Sequence, residues 1–467
     1  MPFEKIKKYI HKRLTVHVPA DVSPGELRGE VIKIAWPALT ELFLIQLCVM
    51  LDTIMAGRML GPWAIASVAY CTQPRFIMLA VFAALNTGST ALIARARGEE
   101  NPKKANLILG QNIMMSVILG AVVTAAGYYL SESMVIFMGA DEPHIIKAAT
   151  DYMKIQMAGF LPIILTMSVT AALRGIGRTK IAMVYNLLAN IVSVILNFFL
   201  IQGFWIFPRM EVAGASLATV IGHVVAFVIA AFVILNGDDF LRLRFELVKK
   251  IDVTAIKQIV KIGVPAMAEQ IVMRIGMLIY TLTITSLGSV IYATHQIVAS
   301  IFTMTFMTGQ AFGIAATSLL GQSLGRERED LARAYTLECR RYSMLFAVAI
   351  GLVFIFFGEQ ITMLYTLEET IILEAAKILM IVAFLQPLQS SQLVLSGALR
   401  GAGDTKSMAV ITFIGIILVR PALSYFFIRY AGFGLLGAWL AMGLDQSSRS
   451  LFSYLRFKSG KWIYIKI

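Results

Sequence analysis

The chain has 467 residues, of which 58% are apolar and only 15% charged, and its mean hydropathy is +0.76. Such a balance leaves too little polar surface to cover a soluble core, so the composition excludes a soluble globular protein and points to an all-α polytopic membrane protein. The net charge of +13 would suggest nucleic acid in a soluble chain, but the bases gather in short turns between apolar segments, where they signal topology and imply no nucleic acid.

From the N-terminus, residues 1–30 form a basic segment with Lys5, Lys7, Lys8, Lys12 and Arg13 but no apolar run of signal-peptide length. Phe3, Ile6, Ile10 and Leu14 recur near helical spacing, which suits either a basic helix on an anionic membrane face or a disordered tail. Twelve apolar runs of about 20 residues follow, each long enough to span a bilayer. They begin near Val31, Trp63, Leu107, Ala148, Ile181, Val212, Ile259, Ile291, Ala334, Leu373, Ser407 and Leu435. Bases crowd alternate connections, as at Arg95 to Lys104, Arg174 to Lys180, Arg242 to Lys257 and Arg326 to Arg333. The positive-inside rule therefore predicts both termini to be cytoplasmic, and the chain is expected to be a multi-pass protein of the plasma membrane. The longest connection, 237–258, divides the spans into an N-lobe (31–236, spans 1 to 6) and a C-lobe (259–457, spans 7 to 12). Residues 458–467 form a cytoplasmic tail.

The two halves repeat. PALTE at Pro37 to Glu41 returns as PAMAE at Pro265 to Glu269, and Leu60-Gly61 returns as Leu287-Gly288. LRGIGRTK at Leu173 to Lys180 returns as LRGAGDTK at Leu399 to Lys406, all at an offset near 227 residues. Six spans per copy make both copies start on the same side, a parallel repeat about an axis along the membrane normal, as in alternating-access transporters with a midline cavity.

The first span carries two carboxylates, Glu41 and Asp52, each costly in hydrocarbon if ionised and unpaired. Eleven positions apart, they lie roughly 20° apart around a helix and about 16 Å along its axis, so one face holds both. In the fifth span Asn186, Asn190, Ser193 and Asn197 also share one face. They read either as ligands and partners for an ion-coupling acid or as interhelical glue. Asn86 and Arg75 in the second span are further cavity or charge-pair candidates, Arg75 as an ion-pair partner for Asp52. In the C-lobe, Glu269 has Arg274 and Arg420 as candidate partners. Asp445 and Arg449, four apart, are expected to form a local pair, and His223 and His295 to be packing histidines. Cys48, Cys71 and Cys339 lack metal-ligand spacing and imply neither zinc nor a disulfide framework. No Walker loop, HExxH or nucleophile elbow is present, so neither an enzyme nor a cofactor is expected, and transport would draw on an ion gradient.

VMLDTIMAGRMLG at Val49 to Gly61, LGSVIYATHQI at Leu287 to Ile297, SLLGQSLG at Ser318 to Gly325, the paired LRGxGxTK turns and FKSGKW at Phe457 to Trp462, in this order, resemble the MATE (multidrug and toxic compound extrusion) family along almost the whole chain. The resemblance implies a twelve-helix, two-lobe antiporter that exports amphipathic, often cationic organic compounds against H+ or Na+; a monomer is the expected working unit. It places Asp52 at the family's first-helix aspartate, where a carboxylate in low dielectric can be neutralised reversibly by a proton. Ser193 and Asn197 stand where relatives tend to carry asparagine and aspartate, so a sodium site would rest on Asp52 with Asn190 and Asn197. Met273 and Gln389 stand where many relatives carry a glutamate and an aspartate, which puts a C-lobe ion site in doubt. A flippase of lipid or lipid-linked saccharide from the same broad superfamily is the alternative, kept open by Arg75, Arg274 and Arg420.

Overall fold

The computed structural model describes Pro19, residues 21–203, 208–237 and 240–465, and Ile467. The basic side chains expected to mark the N-terminal segment, Lys5 to Arg13, lie outside the described residues. Among those described the chain is helical and contains no strand.

Helices α1 (Pro24–Leu60), α2 (Pro62–Gly98) and α3 (Pro102–Tyr129) are followed by a short α4 (Ser131–Phe137), then α5 (Pro143–Ala158), α6 (Phe160–Gly175), α7 (Thr179–Gln202) and α8 (Glu211–Asn236). A five-residue helix, α9 (Phe245–Lys249), leads to α10 (Val253–Thr285), α11 (Ser289–Gly325), α12 (Glu329–Met363) and α13 (Glu369–Gly401). The last part runs through α14 (Thr405–Phe413), a π-helical turn (Ile414–Val419), α15 (Arg420–Tyr425), a second π-helical turn (Phe426–Tyr430) and α16 (Gly434–Lys458). Several helices, α1, α3 and α10 among them, begin a turn or more before the apolar runs, and there Ser23, Asn101 and Asp252 accept from the backbone N–H three residues on. Ser23 and Glu26 form a capping box at α1, each side chain accepting from the other's backbone N–H at 3.1 Å.

Ten of these rods are long and apolar enough to cross a membrane, counting α14 to the second π-turn as one. The expected fourth span is broken: α5 and α6 meet at Gly159 with a 50° bend and together make an eleventh crossing. Pro162, in the first turn of α6, cannot donate to the preceding turn, and a Cβ on Gly159 would collide with Val220 of α8, so both residues favour the break. The 25-residue α16 is the twelfth long helix, less apolar because it carries Asp445, Gln446 and Arg449. Large apolar side chains such as Val228, Phe232, Leu352 and Phe356 are exposed, as befits a chain solvated by lipid. The proline-bearing eleventh rod accommodates Pro421 through its π-turns, which absorb the missing backbone donor.

The chain divides into two compact units, one made of the chain through Leu39 with Ala268–Ile467, the other of Thr40–Met267. The borders fall inside α1 and α10, not in the connection 237–258. These helices, of 37 and 33 residues, are long enough for their two ends to pack in different units. In the Thr40–Met267 unit the described part of that connection is fastened to α3 by two amides. Asn106 donates to the Phe240 carbonyl and accepts from the Arg242 N–H at 2.8 Å, while Gln111 donates to the carbonyls of Leu247 and Lys250. Small residues let helices approach: a Cβ on Gly222 of α8 would lie 2.5 Å from the Ala189 carbonyl oxygen of α7. In the other unit Leu27, Val31, Ile34 and Ala35 of α1 share a core with Trp462, whose ring stacks on Phe457 at 5.2 Å. The segment after α16 is thus partly core.

The internal repeat is visible in the backbone. Glu100 and Glu327, which follow the matching Gly98 and Gly325, adopt the same left-handed conformation with φ of 53° and 58°. The second glycines of the LRGxGxTK turns, Gly177 and Gly403, do so at 81° and 84°, where a side chain is strained and glycine is not.

Candidate functional site

In the Thr40–Met267 unit α1 and α7 are joined by two polar rungs. Asn186 donates through Nδ2 to Oε1 of Glu41 at 2.7 Å, and Asn197 donates through Nδ2 to Oδ1 of Asp52 at 2.5 Å. The two acids are eleven residues apart on α1 and the two amides eleven apart on α7. Equal spacing in the same chain direction means that the helices run parallel, as a first and a fifth span must, with the rungs about 16 Å apart. The shared face deduced for Glu41 and Asp52 and the stripe on α7 are therefore two halves of one interface.

The rungs differ in charge. Arg174, from the turn that ends α6, donates through Nη2 to the same Oε1 of Glu41 at 2.9 Å, and Glu41 is almost fully buried. An arginine that close fixes the carboxylate as a charged pair. Asp52 has no base beside it among the described residues; its partner is the neutral amide of Asn197, whose own Oδ1 is buried without a donor. Arg75, expected as a possible counter-ion, makes no ion pair with Asp52, and its Nε lacks an acceptor. Between the rungs, Asn190 donates to the Asn186 carbonyl at 2.8 Å and Ser193 is buried close to Gly222. Asn86 accepts from Asn112 at 3.0 Å, a bond between α2 and α3. Among the described residues no group of three His, Cys, Asp or Glu side chains could hold a metal ion.

The second unit repeats the charged rung and omits the uncharged one. Arg400, at the end of α13, donates to both oxygens of Glu269 at 2.7 and 3.3 Å, and Thr412 of α14 donates to Oε1 at 3.0 Å. Glu269, Arg400 and Thr412 occupy the positions of Glu41, Arg174 and Asn186 in the other copy. The expected partners of Glu269 are thereby corrected: Arg420 pairs instead with Asp445 at 2.6 Å, and Arg274 is exposed. Arg420 stands a full two turns beyond Thr412, too far along its helix to reach the rung. The local pair of Asp445 and Arg449 is present at 2.9 Å, enlarged by Arg420 into a buried triad. At the two positions where relatives were expected to differ, Met273 is half-buried and Gln389 is buried with its Nε2 unpaired. His295 is packed between Tyr280 and Trp439, with ring centroids at 5.7 and 5.5 Å, and its Nδ1 is unpaired.

Both rung arginines lie in the LRGxGxTK turns and both glutamates in the PxxxE pairs. Two motifs that each appear twice, at one offset, were the available signal that they belong together.

The profile of the MatE family matches residues 37–199 and 265–426 of this chain. Over 448 residues the chain is 30% identical to a probable multidrug resistance protein NorM of Thermotoga maritima, covering 96% of this chain and 95% of that one. It is 26% identical over 464 residues to an uncharacterized transporter, YisQ, of Bacillus subtilis, covering 98% and 99%. Among solved structures it is similar to a crystal structure of MATE in complex with MaD3S, with a TM-score of 0.86 at 20% identity over 93% of this chain and 96% of that one. The latter likeness is one of fold.

Proposed function

This chain belongs to the MatE family, a family of membrane transporters and not of enzymes, and from that premise we propose that it is a proton-coupled multidrug exporter working by alternating access. The observation that carries the proposal is the contrast between the rungs: Asp52 faces an amide, Glu41 an arginine. A carboxylate held by an arginine keeps its charge through a cycle, whereas one held by an amide can gain and lose a proton without stranding a partner charge. Asp52 is therefore the coupling group, and Asn197 is the residue that feels its charge. Protonation weakens the second rung, frees the far half of α1 from α7 and admits substrate; deprotonation restores it.

Proton coupling is preferred over sodium because a sodium ion needs several oxygens. Here Asn190 is turned to its own helix, which leaves Asp52 and Oδ1 of Asn197 as the available pair. The name of the Thermotoga relative, a probable multidrug resistance protein, supports drugs as substrates. The basic turns support a plasma-membrane protein with both termini cytoplasmic, and we take the working unit to be a monomer. A lipid or lipid-linked saccharide flippase is the second reading, favoured by the buried Arg420 and Arg449.

The test is uptake of a fluorescent organic cation into inside-out proteoliposomes under an imposed proton or sodium gradient. The proton gradient should drive uptake and the sodium gradient should not, and Asp52→Asn should abolish uptake while the protein remains folded. Undiminished uptake by Asp52→Asn would remove the central claim.

A further inference from the structure

The unit that contains Ala268–Ile467 holds a second concentration of buried polar groups, one turn beyond Thr412 of the glutamate rung and near enough for Glu269 to act on Arg449. At its centre Asp445 of α16 accepts from two arginines. Arg420 of α15 donates through Nε and Nη2 to Oδ2 at 3.0 and 2.6 Å, and Arg449 donates through Nε to Oδ1 at 2.9 Å and through Nη2 to Oδ2 at 3.1 Å. All three side chains are buried; their exposures are 7%, 0% and 5% for Arg420, Asp445 and Arg449. Gly415 makes room for them, since a Cβ there would strike Asp445 and the Arg449 stem.

Two guanidinium groups on one carboxylate leave a surplus positive charge inside a membrane protein, a state that persists only when something compensates it. The other buried acids of this unit are committed elsewhere: Glu269 to Arg400, Glu338 to Arg28 and Arg341, and Asp404 to Arg456. Each arginine of the triad spends Nε and one Nη on Asp445, and among the described residues the other Nη has no acceptor. The surroundings supply further donors without acceptors. The Arg420 guanidinium lies 5.4 Å from the centre of the Tyr280 ring, and the Tyr280 hydroxyl is buried and unpaired. Ser424 Oγ, one turn from Arg420, and Trp439 Nε1, beside His295, are unpaired too. Helices α10, α15 and α16 thus set one uncompensated positive charge close to the unused hydroxyls of Tyr280 and Ser424. An apolar core wants none of these; a bound anion uses all of them.

We propose that Arg420, Arg449 and Tyr280 form a binding site for a monoanionic group, and that its source is the carboxylate of an amphipathic substrate. A single surplus charge fits a monoanion better than a phosphate dianion, and the planar guanidinium matches a carboxylate. The site adds to the exporter reading a substrate class, organic acids and zwitterions. It rests on that reading only for the source of the anion, because binding is measured without transport.

The experiment uses the purified full-length protein in detergent, with salicylate as the anion, salicylamide as its neutral counterpart, and chloride compared with gluconate as background salts. Binding is followed by calorimetry and by the shift in melting temperature. Salicylate should bind and stabilise, and salicylamide should do neither. Arg420→Gln should weaken salicylate about tenfold or more, as loss of a charge-assisted bond does. Tyr280→Phe keeps the packing and removes an unpaired hydroxyl, so it should melt no lower than the parent without ligand yet bind salicylate several-fold more weakly; a purely packing role predicts no change in affinity. Equal binding of salicylamide, or unchanged salicylate affinity in Arg420→Gln, overturns the site. Should Arg420→Gln fail to fold, unchanged affinity in both Tyr280→Phe and Ser424→Ala overturns it. Stabilisation by chloride alone that matches salicylate and vanishes in Arg420→Gln overturns the substrate assignment in favour of a free halide. Failure of the exporter reading would show instead as undiminished dye uptake by Asp52→Asn.

Discussion

The duplicated glutamate rung makes a sharp energetic prediction. Glu269 is buried to 2% side-chain exposure and takes two bonds from Arg400, which is 27% exposed, and one from Thr412. Arg400→Gln strands a carboxylate with one hydroxyl, and breaking a buried pair in this way costs about 3–5 kcal/mol. Because water reaches a quarter of Arg400, the cost belongs at the low end, about 3 kcal/mol. Glu269→Gln leaves the arginine, which can turn toward that water, and should cost about 1–2 kcal/mol. With both residues replaced, two amides can bond to each other, so the double variant should be less destabilised than Arg400→Gln alone, with a coupling energy of about 2 kcal/mol. The assay is a double-mutant cycle by reversible unfolding in mixed detergent micelles. If the double variant costs the sum of the two singles, the ion pair does not hold this junction and the reasoning fails. The same cycle on Glu41 and Arg174, where the arginine is 24% exposed, should give the same sign.

Three further outcomes follow from the geometry. Asn197→Ala removes the amide that faces Asp52 and should lower proton-driven dye uptake at least several-fold, whereas Asn186→Ala should leave it within about twofold because Arg174 still holds Glu41; equal losses would contradict the division of labour. Gly403→Ala places a side chain at φ of 84° with Ile467 in its path and should destabilise by about 1–3 kcal/mol, read as a lower unfolding midpoint; an unchanged midpoint would refute the strain. The Arg328 guanidinium donates to Asp21 at 2.7 and 2.9 Å and holds that carboxyl below its ordinary value of 3.8. A depressed acid stabilises above its unfolded value and stops doing so as pH falls through the folded one, so the segment before α1 should loosen below pH 3.8. A spin label at Ser23 should report this as mobility that rises on acidification and is already high in Arg328→Gln at neutral pH.

Much of the fold was legible because it is written in hydrophobic length. Runs of about 20 apolar residues mark spans whatever their partners are, and the offset near 227 residues exposed the repeat that Glu100 and Glu327, or Gly177 and Gly403, then display in their backbone angles. The bend at Gly159 was legible only in part: Pro162 is in the sequence, but the close approach of Val220 from another helix, which leaves no room for a side chain there, is not. For the site, spacing showed that Glu41 and Asp52 share a face and that Asn186 and Asn197 do, but pairing the two faces needs the third dimension. The partners of Glu269 were sought nearby and within apolar segments, at Arg274 and Arg420. Yet the actual partner, Arg400, sits in the LRGAGDTK turn, which the sequence presents only as one half of the repeat. A base that marks orientation can also reach one turn into the helix bundle, and composition does not distinguish the two uses.

The repeat also explains why one acid, rather than three, is suited to coupling. Duplication supplied each half with a glutamate, an arginine and a polar partner, and in both halves that set remains a closed pair: Glu41 with Arg174 and Asn186, Glu269 with Arg400 and Thr412. A closed pair takes up a proton only by giving up its bonds to a half-buried arginine, so its charge is conserved through any motion that keeps it intact. Asp52 has no counterpart in this set, and its bond to Asn197 survives or fails on the charge of Asp52 alone. In the other half the unmatched charge is of opposite sign, on Arg420 and Arg449 around Asp445. The two copies have therefore diverged where they are not duplicated, one toward a group that changes charge and the other toward a fixed positive centre.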